Sequence, residues 1–353
     1  MKVPQFEPYL GQEEYAAIKG CFDQNWVTEG PKAQEFNEKL CELMGARYGA
    51  FAPNGTLALY MGLRALGIGE GDEVIVPDFT FIASANAVEM VGATPIFADV
   101  KREDFQLDVE DCERVVSRKT RAIMPVHIYG SSADMTAVME FATRNSLMVI
   151  EDAAQVVGVK WGGKHCGTFG EVGCFSCFAD KTITTGEGGF VVTDDEGLYE
   201  NMLYLRNQGR IDRGSFVHPV VGYNFRMTDI QMAIGLVQLG KLPEIVERKL
   251  AVLDRYMRQL EGVEQVSFRH IDADSTHIPF RVTITCERAQ ELMVFMSAND
   301  IQTRTFFYPL HRQPCFEYLK YNQDWWRKLN DGNFPNSTYG YEHGVCLPSH
   351  AAL

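Results

Sequence analysis

The feature that most constrains the fold is a regular alternation of two kinds of segment in the first half of the chain. Short runs rich in valine and isoleucine, such as 72–77, 94–100 and 147–154, are separated by helix-like stretches of about a dozen residues. Buried parallel strands are nearly continuous apolar runs, and a helix usually provides the crossover between them. The alternation therefore predicts βα units and an α/β large domain of three layers with a mostly parallel sheet.

The pattern changes in the last third of the chain. Pro243 stands at a first-turn position of a long helical segment, where proline is well tolerated. Beyond it come a strand-like run at 278–284 and a further helix-like stretch. We therefore predict an N-terminal arm and large domain at residues 1–242 and a smaller C-terminal α+β domain at 243–353.

Composition excludes several classes of protein. The 353 residues are 46% apolar and 23% charged, which is typical of a soluble globular chain. Neither a run of about 18 apolar residues nor a signal-peptide pattern is present, so we expect no membrane segment and no secretion. A net charge of −14 argues against a nucleic-acid partner. Nine cysteines without a secretory signal suggest reduced thiols and a cytoplasmic location.

No metal site is predicted. Cys174 and Cys177 have the spacing of half a zinc site, but no second pair exists and both lie in a strand-like run that turns them to opposite faces. The eight histidines show no spacing typical of metal ligands. We therefore interpret the two cysteines as residues of the core or of a site wall.

A candidate anion site lies at the start of a predicted helix at 56–66. Asn54, Gly55 and Thr56 precede or open this helix. A polar cap followed by glycine exposes backbone N–H groups at the positive end of the helix dipole, where phosphate can bind. An ordinary helix cap explains the same residues. The glycine-rich segment 67–72 is not a nicotinamide-binding loop, because it follows a helix and precedes a strand.

Two further positions could carry chemistry. Glu151 and Asp152 end an apolar run, and ligands of open α/β sheets bind beyond the carboxyl ends of strands. A helix cap is the alternative role for these carboxylates. Lys181 follows a strand-like run, among small and hydroxyl-bearing residues. Most lysines are solvated surface groups, but one that is partly removed from water has a lowered pKa and can act as a nucleophile or general base.

A phosphate cradle, a strand-end carboxylate and a lysine on a short insert, in that order, suit pyridoxal 5′-phosphate (PLP). The sequence resembles the nucleotide-sugar aminotransferases of the DegT/StrS group, which are PLP enzymes of the aspartate-aminotransferase-like fold type I. Within the group it is most similar to GDP-perosamine synthases, which aminate C4 of a 4-keto-6-deoxy sugar. The matching stretches are NGTLAL, GDEVIVPDFTFIASANAV, GATPIFADV, RAIMPVHIYG, VIEDAAQ, GTFGEVGCFSCFADKTITTGEGGFVVTDD, LRNQGR and VGYNFRMTDIQMAIGLVQL, which together span about residues 5–240.

The resemblance implies a role for each matching position. Lys181 would form the Schiff base with PLP and carry the proton between cofactor and sugar. Asp152 would pair with the pyridine nitrogen and keep it protonated. The other implied contacts are Gln155 at the ring hydroxyl, Phe81 on the ring face, Gly55, Thr56 and Ser176 at the phosphate, and Asn224 at the phosphate from a partner subunit. The implied working unit is a homodimer with its active sites at the subunit interface.

The resemblance also implies the substrates. L-Glutamate would leave its amino group on the cofactor and depart as 2-oxoglutarate, and a nucleotide-linked 4-keto-6-deoxyhexose would then receive the amine. The product would be an amino sugar of the perosamine or viosamine type, for a polysaccharide such as O-antigen. The candidate walls of the sugar pocket are Trp26, Thr28, Glu29, Arg226, Tyr308 and His311. Packing or a buried ion pair is the alternative role for these side chains.

Three other functions stay open. One is amination at C3 of a keto sugar. Another is a PLP-dependent sugar dehydratase of the same fold; such relatives carry histidine at the Schiff-base position, whereas position 181 is lysine. A non-catalytic regulator should have lost Lys181, Asp152 or the phosphate cradle, and all three are present. The sequence leaves the nucleotide, the keto sugar and the product stereochemistry open.

Overall fold

Helices and strands alternate along much of the chain, in the order predicted from the sequence. The computed structural model describes residues 2–210, 214, 216–321 and 328–353. The helices are α1 Gln12–Asp23, α2 Pro31–Met44, α3 Gly55–Ala65, α4 Ala83–Met90, α5 Val109–Val115, α6 Met135–Asn145, α7 Glu196–Arg206, α8 Asp229–Gly240, α9 Leu242–Gln259, α10 Ala289–Ala298 and α11 Pro335–His343. The strands are β1 Tyr48–Ala52, β2 Glu73–Pro77, β3 Thr94–Ala98, β4 Thr120–Ile123, β5 Met148–Asp152, β6 Lys160–Trp161, β7 Lys164–His165, β8 Val172–Ser176, β9 Gly189–Thr193, β10 Ser267–Phe268, β11 Val282–Thr285, β12 Arg304–Thr305 and β13 Gly344–Leu347.

A seven-stranded mixed sheet forms the centre of the larger part of the molecule. Its strand order is β1-β9-β8-β5-β4-β2-β3. The neighbours from β8 to β3 are parallel, whereas β9 runs antiparallel to both β1 and β8. The prediction of a mostly parallel mixed sheet is therefore confirmed.

Both faces of this sheet are buried. Along β2, Ile75 belongs to one apolar cluster together with Phe36 of α2. Val74 and Val76 belong to a second cluster together with Leu59 of α3. Because successive residues of a strand point to opposite faces, the sheet lies between two layers of helices. This is the three-layer arrangement of fold type I expected from the sequence.

A second, four-stranded antiparallel sheet forms later in the chain, with the order β10-β11-β13-β12. Its apolar face packs with residues of α9 and α10, such as Leu253 and Ala289. Other residues beyond position 243, including Leu310 and Phe316, belong to the cluster around the first sheet. The domain boundary at residue 243 therefore stays a prediction. Within the described residues, no helix combines the length and apolar character that crossing a bilayer requires.

Three elements meet at the carboxyl edge of the parallel strands. β5 and β8 are parallel neighbours, with Asp152 paired in register with Cys174. The N-terminus of α3 lies beside the end of β8, since Gly55 approaches Ser176. The loop that follows β8 carries Lys181. The fold therefore brings residues from distant parts of the sequence to one edge of the sheet.

Candidate active site

A cleft of about 930 Å³ opens at this edge. The residues predicted to contact the cofactor come from separate segments of the sequence, and most of them line this one cleft. They are Gly55, Thr56, Phe81, Asp152, Gln155, Ser176 and Lys181. A cleft with a few convergent polar groups at the end of parallel strands is the usual place for a ligand in an α/β fold.

Asp152 ends β5 and is buried in the cleft wall. Its carboxylate accepts a hydrogen bond from Ser84 Oγ at 2.7 Å and another from the backbone N–H of Ala154 at 3.2 Å. Burial raises its pKa, and the two hydrogen bonds and the nearby Lys181 oppose that rise. A carboxylate taken out of water in this way is stabilised by a cationic ligand.

Glu151 has a different role from its neighbour. Its carboxylate is fully buried and accepts hydrogen bonds from the backbone N–H groups of Gly167 and Gly170, at 2.6 and 2.9 Å. It also bonds to His127 Nε2 at 3.0 Å. Since strand residues alternate in direction, Glu151 fixes the chain before β8 from the side opposite to Asp152. Only Asp152 lines the cleft.

Lys181 lies in the loop after β8, with 15% of its side chain exposed. Burial lowers its pKa, whereas Asp180 and Asp152 act in the opposite direction. The Nζ atom is 3.9 Å from Asp180 Oδ1 and 4.5 Å from the centre of the Phe280 ring. An amine with a lowered pKa spends more time neutral, which is the form that reacts as a nucleophile.

The N-terminus of α3 forms the predicted cradle. The side chain of Asn54 accepts a hydrogen bond from the backbone N–H of Leu57 at 3.0 Å and so caps the helix. A Cβ atom on Gly55 would lie 2.9 Å from Cβ of Ser176. Glycine is therefore required for this close approach, which places the Ser176 hydroxyl at the positive end of the helix.

The remaining cleft residues offer a donor and an aromatic face. The side-chain oxygen of Gln155 accepts the backbone N–H of Tyr129 at 2.7 Å, so the amide NH₂ is the group left to donate within the cleft. Phe81 is 57% exposed, with its ring centre 6.2 Å from that of Phe307. An exposed aromatic ring in a cleft wall can stack on a flat ligand.

Asn224 does not line the cleft of its own chain within the described residues. It is exposed and forms an isolated β-bridge with Asn207. Arg226 Nη1 donates to the side-chain oxygen of Asn207 at 2.6 Å, so this candidate sugar residue also lies beside the bridge. The contact of Asn224 with a partner's cofactor, and the homodimer itself, stay predictions.

Three candidate sugar residues leave part of their surface open. Trp26 is 44% exposed and packs against Gly30. Thr28 is exposed, and its carbonyl accepts the N–H of Asp229 at 3.3 Å. Tyr308 is 40% exposed and lines a pocket of about 480 Å³ that shares Phe81 with the main cleft. Their contact with a sugar stays a prediction.

The other two candidates already have strong partners. Glu29 forms an ion pair with Arg206, and both side chains are largely buried. His311 is buried, and its Nδ1 and Nε2 atoms lie 2.7 Å from Asp78 and 3.0 Å from Asp331. Their contact with substrate also stays a prediction, but in this geometry both side chains act as structural links.

Sequence reasoning missed Asp180, Phe280 and Arg281, which line the cleft beside Lys181. A charged residue next to the candidate lysine, and an arginine that interrupts the apolar run at 278–284, were the available signals. The sequence did not indicate that the two charges meet. The structure places Arg281 Nη2 at 2.7 Å from Asp180 Oδ2.

Comparison with known proteins agrees with this geometry. The model of the DegT/DnrJ/EryC1/StrS aminotransferase family matches residues 8–353. The chain is 41% identical to the GDP-perosamine synthase of Escherichia coli O157:H7, over 95% of this chain and 94% of that protein. It is 31% identical to S. venezuelae DesV, solved in complex with a ketimine intermediate, with a TM-score of 0.92 and coverage of 100% and 94%. The PLP-form of Spr1654 from Streptococcus pneumoniae is 25% identical, with a TM-score of 0.93 and coverage of 100% and 95%.

The cleft residues fit PLP. Among the described residues, no lysine, arginine or histidine lies within ion-pair distance of the buried Asp152 carboxylate, which therefore suits a protonated ring nitrogen. The N-terminus of α3, with Gly55 and Thr56 beside the Ser176 hydroxyl in the cleft wall, suits a phosphate, and Lys181 supplies a partly desolvated amine. Sequence, fold and cleft lead to the same conclusion: the chain belongs to the DegT/DnrJ/EryC1/StrS aminotransferase family and is a PLP-dependent aminotransferase.

Proposed function

We propose that this chain transfers the amino group of L-glutamate to C4 of a nucleotide-linked 4-keto-6-deoxyhexose and so makes an amino sugar of the perosamine type. The observation that carries the proposal is the meeting of Lys181, Asp152 and the α3 cradle in one cleft of a chain that is 41% identical to a GDP-perosamine synthase. The same likeness makes GDP the first nucleotide to test.

The chemistry divides between cofactor and protein. PLP supplies an aldehyde that carries the amino group and a ring that accepts electrons when its nitrogen is protonated. Asp152 would hold the proton on that nitrogen, because its buried carboxylate gains a cationic partner in doing so. Ser84 and the N–H of Ala154 keep the carboxylate oriented from behind.

Lys181 would bind the cofactor and then move the proton at the substrate carbon. It must be neutral for part of the cycle to accept that proton, and burial favours the neutral amine by lowering its pKa. Its Nζ atom reaches the cleft that Asp152 also lines, so one side chain can take the proton and return it.

The other cleft residues would hold the cofactor in place. The N-terminus of α3, together with Gly55, Thr56 and Ser176, would bind the phosphate. The NH₂ group of Gln155 would donate to the ring hydroxyl, and Phe81 would cover the ring face. These contacts would hold the cofactor in the cleft that Lys181 also lines.

The direct test is a substrate panel. The purified chain is supplied with isotopically labelled glutamate and, in separate reactions, with GDP-, UDP- and dTDP-linked 4-keto-6-deoxyhexoses. We expect the labelled nitrogen at C4 of a GDP-sugar, as identified by mass spectrometry and NMR. Label at C3, or loss of water without nitrogen transfer, would instead assign one of the alternative activities.

A second measurement tests the cofactor site alone. Reduction of the yellow protein with borohydride should attach the cofactor mass to the peptide that contains Lys181. A protein that carries the modification on another lysine would contradict the assigned role, whatever its activity. Substitution Lys181→Arg, which keeps the charge, serves as the matched control and should remove the modification.

A further inference from the structure

The carboxylate of Asp180 lies between two cations beside the cleft. Its Oδ2 atom accepts a hydrogen bond from Arg281 Nη2 at 2.7 Å, and its Oδ1 atom lies 3.9 Å from Lys181 Nζ. The exposed fractions of the side chains are 10% for Asp180, 8% for Arg281 and 15% for Lys181. Charges that are this well shielded from water interact strongly, so their arrangement affects whether the Lys181 amine is protonated.

Asp180 and its partner Arg281 come from different parts of the fold. Asp180 is in the loop after β8, whereas Arg281 directly precedes β11 of the second sheet. The guanidinium of Arg281 also lies 4.8 Å from the centre of the Phe280 ring, which holds it in place. Within the described residues, Oδ1 of Asp180 has no hydrogen-bond partner, so this atom is left facing the lysine amine.

Several charged or titratable groups face Lys181. Asp180 and Asp152 favour the charged amine, and Cys177 acts in the same direction. Burial and the positive charge of Arg281 favour the neutral amine, and burial has the largest effect. An opposite charge within about 4–6 Å shifts a pKa by about one to three units. An uncompensated Asp180 would therefore hold Lys181 in the protonated form, which cannot accept a proton.

We propose that Asp180 and Arg281 act as a positioning pair for Lys181, in which the carboxylate holds the amine in the cleft and the guanidinium offsets part of the carboxylate's charge. The lysine is thereby fixed in direction without being locked as an ammonium ion. This inference rests on the proposed role of Lys181 as the amine that binds PLP. Asp180 and Arg281 are therefore positioning residues, which act on the reaction through Lys181.

A third buried cation has to be separated from this effect. Lys249 of α9 donates from Nζ to the carbonyls of Pro279 and Ser349, at 3.1 and 3.4 Å. Burial and the neighbouring Arg281 lower its pKa to about 8, and Asp180 opposes that shift. Because the pKa of Lys249 is lowered as well, the measurement has to report on Lys181 by itself.

Two measurements on the full chain meet this requirement. In the holoenzyme, the visible absorption band of the cofactor bound to Lys181 is titrated with pH. In the cofactor-free chain, the rate of acetylation of the Lys181 peptide by acetic anhydride is followed by mass spectrometry as a function of pH. The second measurement needs neither cofactor nor activity, and it resolves Lys181 from Lys249.

The variants give predictions of opposite sign. We expect D180N to lower the measured pKa of Lys181 by about one to three units and R281M to raise it by a smaller amount. The double variant should fall between the two single variants, and R281K should stay near the wild-type value because the charge is kept. R248M makes the same change at a surface ion pair with Glu244 and should leave Lys181 unaffected.

The outcomes separate this proposal from the proposed function. Shifts of the same sign in D180N and R281M, or a double variant that keeps the shift of either single variant, would overturn the positioning pair. R281M leaves a buried carboxylate unpaired and can fold poorly, but the double variant removes both charges and keeps the test available. A wild-type chain without a cofactor band would contradict the proposed function, while the acetylation rates would still test the pair.

Discussion

At the scale of single residues, the chemistry of the cleft depends on which of two buried carboxylates faces it. Glu151 and Asp152 are adjacent in sequence, yet one is tied to backbone N–H groups and His127 and the other ends in the cleft. Strand alternation separates them onto opposite faces. Their substitutions should therefore have different consequences, one on stability and one on turnover.

Asp152→Asn should lower kcat by at least about 100-fold, because the amide cannot hold the proton on the cofactor ring. Burial raises the pKa of this carboxyl group, so its negative charge does not stabilise the folded chain. Removing the charge should therefore leave the free energy of unfolding of the cofactor-free chain nearly unchanged. Glu151→Gln is the matched control. It should lower the free energy of unfolding by about 1–3 kcal/mol, because buried N–H donors lose an acceptor. Steady-state kinetics and urea unfolding measure both effects, and D152N turnover near that of the wild type would remove the electron-sink argument.

At the scale of elements, helix ends and strand ends place the functional groups. α3 starts at Gly55, one residue before the predicted start, and β5 ends at Asp152, one of the two carboxylates predicted to end its apolar run. Both follow from local signals, a polar cap with glycine and an apolar run that stops at a carboxylate. The pairing of Asp180 with Arg281 had no such signal, because it depends on how the loop after β8 meets the residue that precedes β11.

Gly55→Ala tests the α3 cradle. The added Cβ would lie 2.9 Å from Cβ of Ser176, so the two elements must move apart at the point where phosphate binds. We expect cofactor binding to weaken by about 1–3 kcal/mol, the usual cost of overpacking. Gly11→Ala is the matched control, since Gly11 caps the N-terminus of α1 and has open space around its Cβ position. Spectral titration with PLP measures both, and equal affinities would exclude a tight cradle.

His311 links a short helical segment to the end of β2. Both ring nitrogens face carboxylate oxygens, of Asp78 and Asp331, and such oxygens can only accept, so both nitrogens carry a proton. Burial opposes the charged ring, but the hydrogen bonds to both carboxylates prevail and raise the pKa of His311. The link is therefore strongest at low pH.

The sign of the pH effect follows from that raised pKa. The stability that His311 contributes should be complete below about pH 6.5, the ordinary pKa of histidine in an unfolded chain. It should be lost as the pH rises through the higher pKa that His311 has in the folded chain. Urea unfolding of the wild type and of His311→Asn should therefore differ most in mildly acidic buffer. Asp331→Asn removes one partner and should show a weaker pH trend. A difference that grows toward alkaline pH would contradict the charged state of the ring.

At the scale of the whole molecule, the features that sequence reasoning could not predict are contacts between distant segments. His311 meets Asp78 across 233 positions, and Arg281 meets Asp180 across 101 positions. Local periodicity reports on single elements, whereas such contacts depend on how segments far apart in the sequence pack together. The matching stretches of the resemblance gave the cofactor residues, but none of them includes Arg281 or Tyr308.

The segment that carries Asn224 exposes large apolar side chains: Phe216 is 86% exposed and Val221 is 82% exposed. Exposed apolar patches of this kind mark protein–protein contacts. We therefore expect a homodimer, in which Asn224 of one subunit would reach the phosphate site of the other. Light scattering of the purified chain tests whether the dimer forms.

Mixing two impaired variants tests where Asn224 acts. Lys181→Ala lacks the amine and Asn224→Ala lacks the phosphate contact, so each alone should have low activity. In a mixed dimer, one site combines the intact lysine of one subunit with the intact asparagine of the other. Random exchange of subunits should then restore about a quarter of the wild-type activity, because half of the dimers are mixed and half of their sites are complete. If Asn224 served its own subunit, every site would carry one of the two defects and mixing would restore nothing.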